Sequence, residues 1–250
     1  MDSNFKNHIN SLAPISLKEM DAVSLMKRTD TKFIVPMSQL TAILKEVGSV
    51  YWVLEINEDR LMTYSSMYFD TLDTKFYHDH HNGRVNRTKI RIRNYVESDL
   101  FFLEIKQKNG KGITNKKRIA ISGFEPHLSK VSTDFIKKTT DQNFKLEPTL
   151  INKFNRVTLV SIENQERVTI DIGLTFTNDG KSKKFEELVV IELKQERFNR
   201  QSAIVKSLNH FGFNPYSMSK YCMGMVSLYE DIKYNAFKRK VRYINKIIAA

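Results

Sequence analysis

Apolar and polar residues alternate with a period of two along several stretches of this chain. The stretch Arg87–Tyr95 reads RTKIRIRNY, so Lys89, Arg91 and Arg93 fall on one side and two isoleucines on the other. Successive side chains of a β-strand point to opposite faces, and this period therefore predicts a strand. One face of that strand is apolar, whereas the other carries three cations.

Similar alternation predicts a mainly antiparallel set of strands. The neighbouring stretch FLEIKQK repeats the pattern with Glu104 and Lys106 on the charged side, after a hairpin turn at 97–99. A second hairpin is predicted at the turn 163–166. The predicted strands lie at about 26–35, 51–56, 61–70, 87–95, 102–108, a segment ending near 121, 155–162, 167–175 and 185–196.

Apolar residues spaced three and four apart predict helices. Pro36 begins one, in a position where proline is tolerated, and Gly48 ends it. Further helices are predicted over 129–140 and 199–211, and the chain is predicted to end in one long helix from Ser219 onward.

The segment 70–84 shows no such period and is predicted to be a polar connection. It contains His78, Asp79, His80 and His81, which could suggest a metal site. Adjacent residues point in different directions, however, and no further Cys or His is spaced to join them. A solvated loop is therefore the preferred interpretation.

The chain contains no internal repeat, low-complexity segment or linker, which predicts a single domain over residues 1–250. Its core would span about 26–230, followed by a basic helical tail over about 231–250. The fold class is predicted to be α+β, and enough strands are present to close a barrel. Closure would give the charged strand faces a common interior.

The formal charge of +12 changes this picture, because it predicts an anionic partner. Nucleic acid, polyphosphate, a nucleotide and an acidic membrane surface all satisfy that condition. The single cysteine, Cys222, excludes an intramolecular disulfide and fits a reducing compartment. The sequence has no signal peptide and no run of about 18 apolar residues, so a cytoplasmic protein without a transmembrane segment is predicted.

The charged faces of the predicted strands carry far more bases than acids. A single face of this kind normally contacts water, but an enclosed cationic interior needs a polyanion to compensate its charge. Glu192, in VVIELK, is an acid on such a face and could bind a divalent metal together with phosphate oxygens. Glu104 and Asp171 could assist that metal or orient an arginine.

A series of short motifs follows in order between about Met26 and Met225. They read R-x-x-x-K-F from Arg28, YFDT from Tyr68, KIRIRNY, FLEIK, KKR, FNR, ERVTID, VIELK and SMSKY. This order resembles the VTC domain of polyphosphate polymerases, a branch of the triphosphate tunnel metalloenzymes. The Glu-x-Glu-x-Lys signature of other branches is absent from the sequence, which favours the VTC branch.

The resemblance implies a fold and an activity. The fold would be an eight-stranded antiparallel β-barrel that forms a tunnel, with flanking helices and a C-terminal helix. The activity would be transfer of the γ-phosphate of ATP onto a growing polyphosphate chain, with Mn²⁺ or Mg²⁺ as cofactor. ATP and polyphosphate would be the partners of the protein, whereas nucleic acid would not.

Residue roles follow from the same resemblance. Glu192 matches the metal-binding glutamate, and the segment Lys116–Arg118 reads Lys-Lys-Arg where the family commonly has an acid in the middle. Lys89 and Lys194 are candidates because they lie on the charged strand faces and not because of the resemblance. The catalytic cations would be Arg91, Arg93, Lys106 and Lys220. Arginine forks and lysine point charges that bind phosphate or nucleotide would be Arg28, Lys32, Lys89, Lys116, Arg118, Arg156, Arg167 and Lys194.

Two other functions stay open at this point. With water as acceptor, the same site would make the protein a metal-dependent tripolyphosphatase or nucleoside triphosphatase. A non-catalytic protein that binds polyphosphate or RNA would also use basic strands interleaved with aromatic residues, but it has no need of an inward Glu192. The basic tail could touch an acidic membrane surface or an emerging polyphosphate chain, although a solvated helix face is preferred.

Overall fold

A computed structural model describes residues 3–22, 29–110 and 113–249 of the chain. Its strands are β1 (Pro14–Ile15), β2 (Thr29–Pro36), β3 (Trp52–Leu54), β4 (Met62–Thr71), β5 (Arg87–Tyr95), β6 (Leu100–Lys108), β7 (Thr114–Ile121), β8 (Leu146–Ser161), β9 (Glu166–Asn178), β10 (Lys181–Phe185) and β11 (Leu188–Gln195). Its helices are α1 (Ser3–Ser11), α2 (Leu17–Ala22), α3 (Met37–Val47), α4 (Lys75–His81), α5 (Lys130–Thr140), α6 (Ala203–His210), α7 (Lys220–Leu228) and α8 (Lys238–Ile248). The predicted α+β class is confirmed.

One large antiparallel sheet dominates the fold. Its strands follow the order β2-β11-β9-β8-β4-β5-β6-β7, with β10 paired to β9 and β3 paired to β8. Lys32 of β2 and Lys106 of β6 line the same cavity, although β2 is the first strand of this order and β6 is the last but one, so the sheet curls strongly. Side chains on the inner side of the curl therefore face one another.

The predicted closure of eight strands into a barrel is not confirmed. The strands β2 and β7 are the two ends of the order, and the described parts of the chain show no pairing between them. Three consecutive cations lie on β7, namely Lys116, Lys117 and Arg118, and all three are exposed. Charged residues on an edge strand disfavour pairing with a further strand. The structure is thus a curled, open sheet with flanking helices.

Helices cover the apolar outer face of the sheet. Ile90, Ile92 and Leu103 are fully buried in a cluster that includes Ile136 of α5. A second cluster joins β2, β8, β9 and β11 to α1, α3 and α6. The apolar positions of the alternating strands are therefore used in the core as predicted, which leaves their charged positions on the inner side.

The helix α7 lies against the inner side of the sheet. Gly224 permits this close approach, because a Cβ atom there would stand 2.7 Å from Cδ1 of Phe176 on β9. The side chain of Ser219 caps the helix by accepting a hydrogen bond from the backbone N–H of Cys222. Lys220, the first residue of α7, is thereby brought onto the charged side of the sheet.

Two predictions of secondary structure, one of a polar connection and one of a single long helix, are wrong. The polar connection contains α4, whose first turn is held by Asp70: its carboxylate accepts hydrogen bonds from the backbone N–H groups of Phe76 and Tyr77. The predicted single C-terminal helix is two helices, since α7 ends before Tyr229 and α8 begins at Lys238. Acidic residues are unfavourable at a helix C-terminus, and the sequence after Tyr229 is Glu-Asp.

Other predicted elements agree with the structure except at their boundaries. The helix predicted from Pro36 is α3, and the helix predicted over 129–140 is α5. The strand predicted over 155–162 is part of β8, which begins earlier, at Leu146. Among the described residues, no helix has both the length and the apolar character needed to cross a lipid bilayer.

Candidate functional site

The inner side of the curled sheet brings most of the predicted charged residues together, and we call this set the charged face. Strand register alone places Glu192 opposite Lys32, Asp171 opposite Arg156, and Glu104 opposite Arg91. Helix α7 adds Lys220. The charged face consists of Lys32, Lys89, Arg91, Arg93, Glu104, Lys106, Lys116, Arg118, Arg156, Asp171, Glu192, Lys194 and Lys220.

Glu104 is the centre of the first charged cluster. It is 2% exposed, and its Oε2 atom accepts hydrogen bonds from Nε and Nη2 of Arg91 at 2.8 and 2.6 Å. The Nζ atom of Lys116 lies 2.5 Å from the other carboxylate oxygen. Burial alone would raise the pKa of Glu104, but the charges of Arg91, Arg93 and Lys116 outweigh it and lower the pKa to about 2.

Asp171 is the centre of the second cluster and is 1% exposed. Arg156 binds it with two hydrogen bonds, from Nε to Oδ1 at 2.6 Å and from Nη2 to Oδ2 at 2.9 Å. The ammonium group of Lys220 also donates to Oδ2. These two cations overcome the effect of burial and hold the pKa of Asp171 well below its usual value. Burial lowers the pKa of Lys220 despite this partner.

Glu192 forms the third and most open cluster. Its Oε2 atom lies 3.1 Å from Nζ of Lys32, and its Oε1 atom lies 3.9 Å from Nζ of Lys194. The side chain is 16% exposed. Burial opposes ionisation here, yet Lys32 and Lys194 lower the pKa of Glu192 to about 2. The carboxylate is therefore ionised at neutral pH.

Arg93 differs from the other arginines of these clusters because it has no carboxylate partner among the described residues. It is 7% exposed, its Nε atom donates to Oγ of Ser66 at 3.2 Å, and its guanidinium lies 5.3 Å from the ring centre of Tyr64. Burial, followed by the charge of Arg91, lowers the pKa of Arg93. Among the described residues, no carboxylate forms an ion pair with this buried guanidinium, and the charge of Glu104 offsets only part of the effects of burial and of Arg91 on its pKa.

The remaining predicted site residues lie outside the three carboxylate clusters. Arg118 covers the ring of Phe102 at 4.5 Å, and Lys106 is exposed on the inner side of β6. Arg167 donates to the backbone oxygen of Met20 and therefore contacts the α2 segment. Arg28 lies outside the described residues.

Sequence reasoning missed the contributions of β4 and of the residue before α7. Tyr68 accepts a hydrogen bond from Nη1 of Arg91 at 3.1 Å, and Ser66 accepts one from Arg93. Ser219 accepts a hydrogen bond from Nζ of Lys89 at 2.9 Å. The signal for β4 was present, because Ser66 and Tyr68 alternate with the apolar residues Met67 and Phe69.

The acids of the charged face decide how a metal could be held. No three His, Cys, Asp or Glu side chains within the described ranges are placed to bind one metal ion. Glu104 and Asp171 already bind two cations each, whereas Oε1 of Glu192 is beyond hydrogen-bond distance of Lys194. Mg²⁺ commonly uses one or two carboxylates together with substrate phosphates. Glu192 therefore fits a metal that arrives with a phosphate ligand.

The histidine-rich segment lies beside this site, because His80 lines the same cavity as Lys32, Lys89 and Lys106 of the charged face. His80 and His81 belong to α4, where His80 Nδ1 lies 3.1 Å from Sγ of Cys222 and His81 Nε2 accepts from the backbone N–H of Ala236. Burial lowers the pKa of His80 to about 3, so its ring is neutral at neutral pH. The prediction of a solvated loop is wrong, because His78, Asp79, His80 and His81 all lie in α4.

Comparisons with known proteins concern the same part of the chain. The model of a family described as the VTC domain matches residues 27–229. No curated protein matches the chain.

Several solved structures are similar to this chain in fold. HpAC1 from Hippeastrum, a candidate adenylyl cyclase with a dominant triphosphatase activity, is 14% identical over 84% of this chain and 100% of its own, with a TM-score of 0.50. A candidate adenylate cyclase from Vibrio parahaemolyticus is 11% identical over 80% of this chain and 99% of its own, with a TM-score of 0.49. A candidate adenylate cyclase from Bacillus halodurans is 15% identical over 78% of this chain and 96% of its own, with a TM-score of 0.48. At this identity the similarity to HpAC1 concerns the fold alone.

Proposed function

This chain belongs to the VTC domain family, and we propose that it is a polyphosphate polymerase that transfers the γ-phosphate of ATP onto a growing polyphosphate chain. The observation that carries the proposal is Arg93, a buried guanidinium without a carboxylate partner among the described residues. Burying such a charge is costly unless an anion compensates it. A phosphate group of the substrate would be that anion, because arginine matches phosphate with two parallel hydrogen bonds.

The roles of the other cations follow from what phosphoryl transfer requires. The protein contributes little covalent chemistry to this reaction, since positioning and neutralisation of charge supply most of the rate. Arg91 is oriented by Glu104 and Tyr68, so its guanidinium is fixed before the substrate arrives. In this proposal the triphosphate lies along the charged face, Arg91 and Arg93 bind its oxygens, and Lys106 and Lys220 neutralise developing charge.

Glu192 would hold Mn²⁺ or Mg²⁺ together with phosphate oxygens. When bound, the metal would supply Lewis-acid catalysis and neutralise charge on the phosphates. Lys32 and Lys194 keep Glu192 ionised, which is the state that a metal requires. The acceptor would be the terminal phosphate of a polyphosphate chain lying in line with the γ-phosphate.

Hydrolysis at the same site is the second candidate function, and the edge position of β7 favours it. The side chain of Lys116 is 41% exposed although it pairs with the buried Glu104. Solvent therefore reaches this side of the charged face. Water in line with the γ-phosphate would release orthophosphate instead of extending a chain.

Incubation of the protein with ATP and Mn²⁺, followed by gel analysis of the products, tests the proposal. Long phosphate chains would support the polymerase. Orthophosphate alone would support the triphosphatase and overturn the polymerase. Binding of polyphosphate without any turnover would overturn both enzymatic functions and favour a non-catalytic binding protein.

Arg93→Gln tests the residue on which the proposal rests. We expect turnover to fall by at least about 100-fold, the usual cost of removing one preorganised donor to transition-state charge. The melting temperature should not fall, because the substitution removes a buried charge that has no carboxylate partner among the described residues. Arg239→Gln, on the exposed side of α8, is the matched control and should leave turnover unchanged. Normal turnover in Arg93→Gln would contradict the proposed role.

A further inference from the structure

Asp70, near the end of β4, is a buried carboxylate that is not part of the charged face. It is fully buried, and it accepts hydrogen bonds from the backbone N–H groups of Phe76 and Tyr77 in α4, at 2.8 and 2.9 Å. Its Oδ2 atom also accepts a hydrogen bond from the hydroxyl group of Tyr221 on α7, at 2.5 Å. Burial raises the pKa of Asp70, while these hydrogen bonds oppose that effect. One carboxylate therefore joins β4, α4 and α7.

Tyr221 connects this carboxylate to two cations of the charged face. It directly follows Lys220 in α7, so its position affects where the helix presents that ammonium group. Its ring is stacked on the ring of Tyr68, with the ring centres 5.1 Å apart and an angle of 25° between the planes. The hydroxyl group of Tyr68 accepts a hydrogen bond from Nη1 of Arg91 at 3.1 Å. Two routes, one along the chain and one through stacked rings, therefore lead from Tyr221 to proposed catalytic cations.

The burial of these two residues restricts what they can do. Asp70 has no exposed surface and Tyr221 is 2% exposed, so neither side chain can contact a substrate. Any influence on a bound phosphate must pass through neighbouring side chains. Such an influence can be large, because a small displacement of a catalytic group lowers both binding and rate.

The two ends of α7 are held in different ways. Gly224 packs directly against the side chains of Phe176 and Leu150, which fixes the middle of the helix on the sheet. The end that carries Lys220 is fixed to α4 instead, through the hydrogen bond from Tyr221 to Asp70. This hydrogen bond is therefore placed to set the position of the first turn of α7.

We propose that Asp70 and Tyr221 are positioning residues, which hold Lys220 and, through Tyr68, Arg91 in the arrangement that binds substrate phosphate. The proposal rests on the proposed function only in that Lys220 and Arg91 contact a bound phosphate group. Its consequence is that removing one hydroxyl group outside the charged face weakens the contribution of both cations, although no charge is removed.

Tyr221→Phe tests this role, because it removes the hydroxyl group and keeps the ring that stacks on Tyr68. Affinity for tripolyphosphate would be measured by calorimetry in the unmodified protein and in the Lys220→Met and Arg91→Met backgrounds, each with and without Tyr221→Phe. We expect on the order of ten-fold weaker binding from Tyr221→Phe in the unmodified protein, and less than about three-fold in each background, as is typical of residues coupled in one network. A purely structural role would give the same loss in all three proteins.

Tyr51→Phe is the matched control. Tyr51 is 1% exposed, and its hydroxyl group donates to Glu166, a second fully buried carboxylate, within the core cluster of the outer face. Both variants remove a hydrogen bond to a buried carboxylate, so their melting temperatures should fall by similar amounts. Only Tyr221→Phe should weaken the binding of tripolyphosphate.

Asp70→Asn disrupts the same hydrogen bond from its other side, because an amide group replaces one of the accepting oxygens. It should weaken binding by a similar factor and add nothing further when combined with Tyr221→Phe. Additive losses in this pair would overturn the proposal, since they would mean that the two residues act separately.

Two other results would also overturn the positioning role. One is unchanged affinity for tripolyphosphate in Tyr221→Phe, and the other is an equal loss in the unmodified protein and in both backgrounds. A reduced loss in one background alone would overturn the route through the other cation. The ATP product assay on the unmodified protein separates the two proposals: if ATP is not turned over but the backgrounds show coupling, only the proposed function fails. If ATP is converted into phosphate chains and no coupling is found, only the positioning role fails.

Discussion

Replacing Asp171 with asparagine should destabilise the protein strongly. The substitution removes the carboxylate charge that compensates two buried cations, Arg156 and Lys220. Asp171 binds Arg156 and Lys220, and each of these side chains is 14% exposed. Removing one partner of a buried ion pair typically costs about 3–5 kcal/mol. In a chain of this size 1 kcal/mol lowers the melting temperature by about 2–4 °C, so a decrease of about 6–20 °C is expected.

Calorimetric melting of the two proteins at pH 7 provides the measurement. Asp134→Asn is the matched control, since Asp134 pairs with Lys130 on α5 but both side chains are mostly exposed. Exposed pairs contribute about 0–1 kcal/mol, and the control should therefore melt within about 4 °C of the unmodified protein. Asp171→Asn should also be stabilised more than the unmodified protein by tripolyphosphate, because the ligand replaces the missing negative charge.

Two outcomes would refute this account of Asp171. If Asp171→Asn melted as the control does, the carboxylate would not be compensating Arg156 and Lys220 in the folded protein. If tripolyphosphate raised the melting temperature of both proteins equally, Asp171 would not share an electrostatic environment with the ligand. The first result concerns the packing of the charged face, and the second concerns its function.

Three further predictions follow from the same structure. Gly224→Ala should cost about 1–3 kcal/mol by denaturant unfolding, since the added Cβ would meet Phe176, and an unchanged midpoint would contradict this close contact. The pKa values of Glu104 and Glu192 are lowered from 4.5 to about 2, so both stabilise the fold above pH 4.5 and lose that contribution as pH falls toward 2, which circular dichroism of acid-titrated protein would follow. Burial lowers the pKa of Lys89, and an anionic ligand would raise it again, so ATP binding should take up protons at the alkaline pH where Lys89 titrates. Calorimetry in two buffers of different ionisation enthalpy, repeated across the alkaline range, would detect this uptake, and an enthalpy that did not depend on the buffer would argue against it.

Strand alternation was sufficient to predict which side chains share a face. Ile90 and Ile92 are buried and Arg91 and Arg93 lie on the charged face, because the period of two depends only on local backbone geometry. The resemblance to the VTC domain was likewise visible in the order of local motifs and agrees with the family match. These properties require no knowledge of which strands are neighbours.

The partners of the acids could not be predicted in the same way. Asp171 was a candidate metal ligand by its face alone, but its oxygens accept from Arg156 and from Lys220, which is 49 residues away. That contact depends on the register of β8 against β9 and on where α7 docks. The helix α4 was missed for a similar reason, since Asp70 caps it from the end of the preceding strand. Closure of the barrel depends on whether the two end strands, β2 and β7, pair with each other, and the local sequence of either strand does not indicate this.

Charge compensation separates two kinds of cation on the inner side of the sheet. Arg156 and Lys220 share a buried carboxylate, so their charges are part of the folded structure and their loss should first affect stability. Arg93 and Lys240 hydrogen-bond to serine hydroxyls instead and have no acid partner among the described residues. Their positive charge destabilises the empty protein and stabilises a bound polyanion, so neutralising them should weaken binding while leaving the fold as stable or more stable. A substitution series that measures melting temperature and phosphate affinity together should therefore divide into these two groups, and a series in which both quantities fell in parallel would contradict the division.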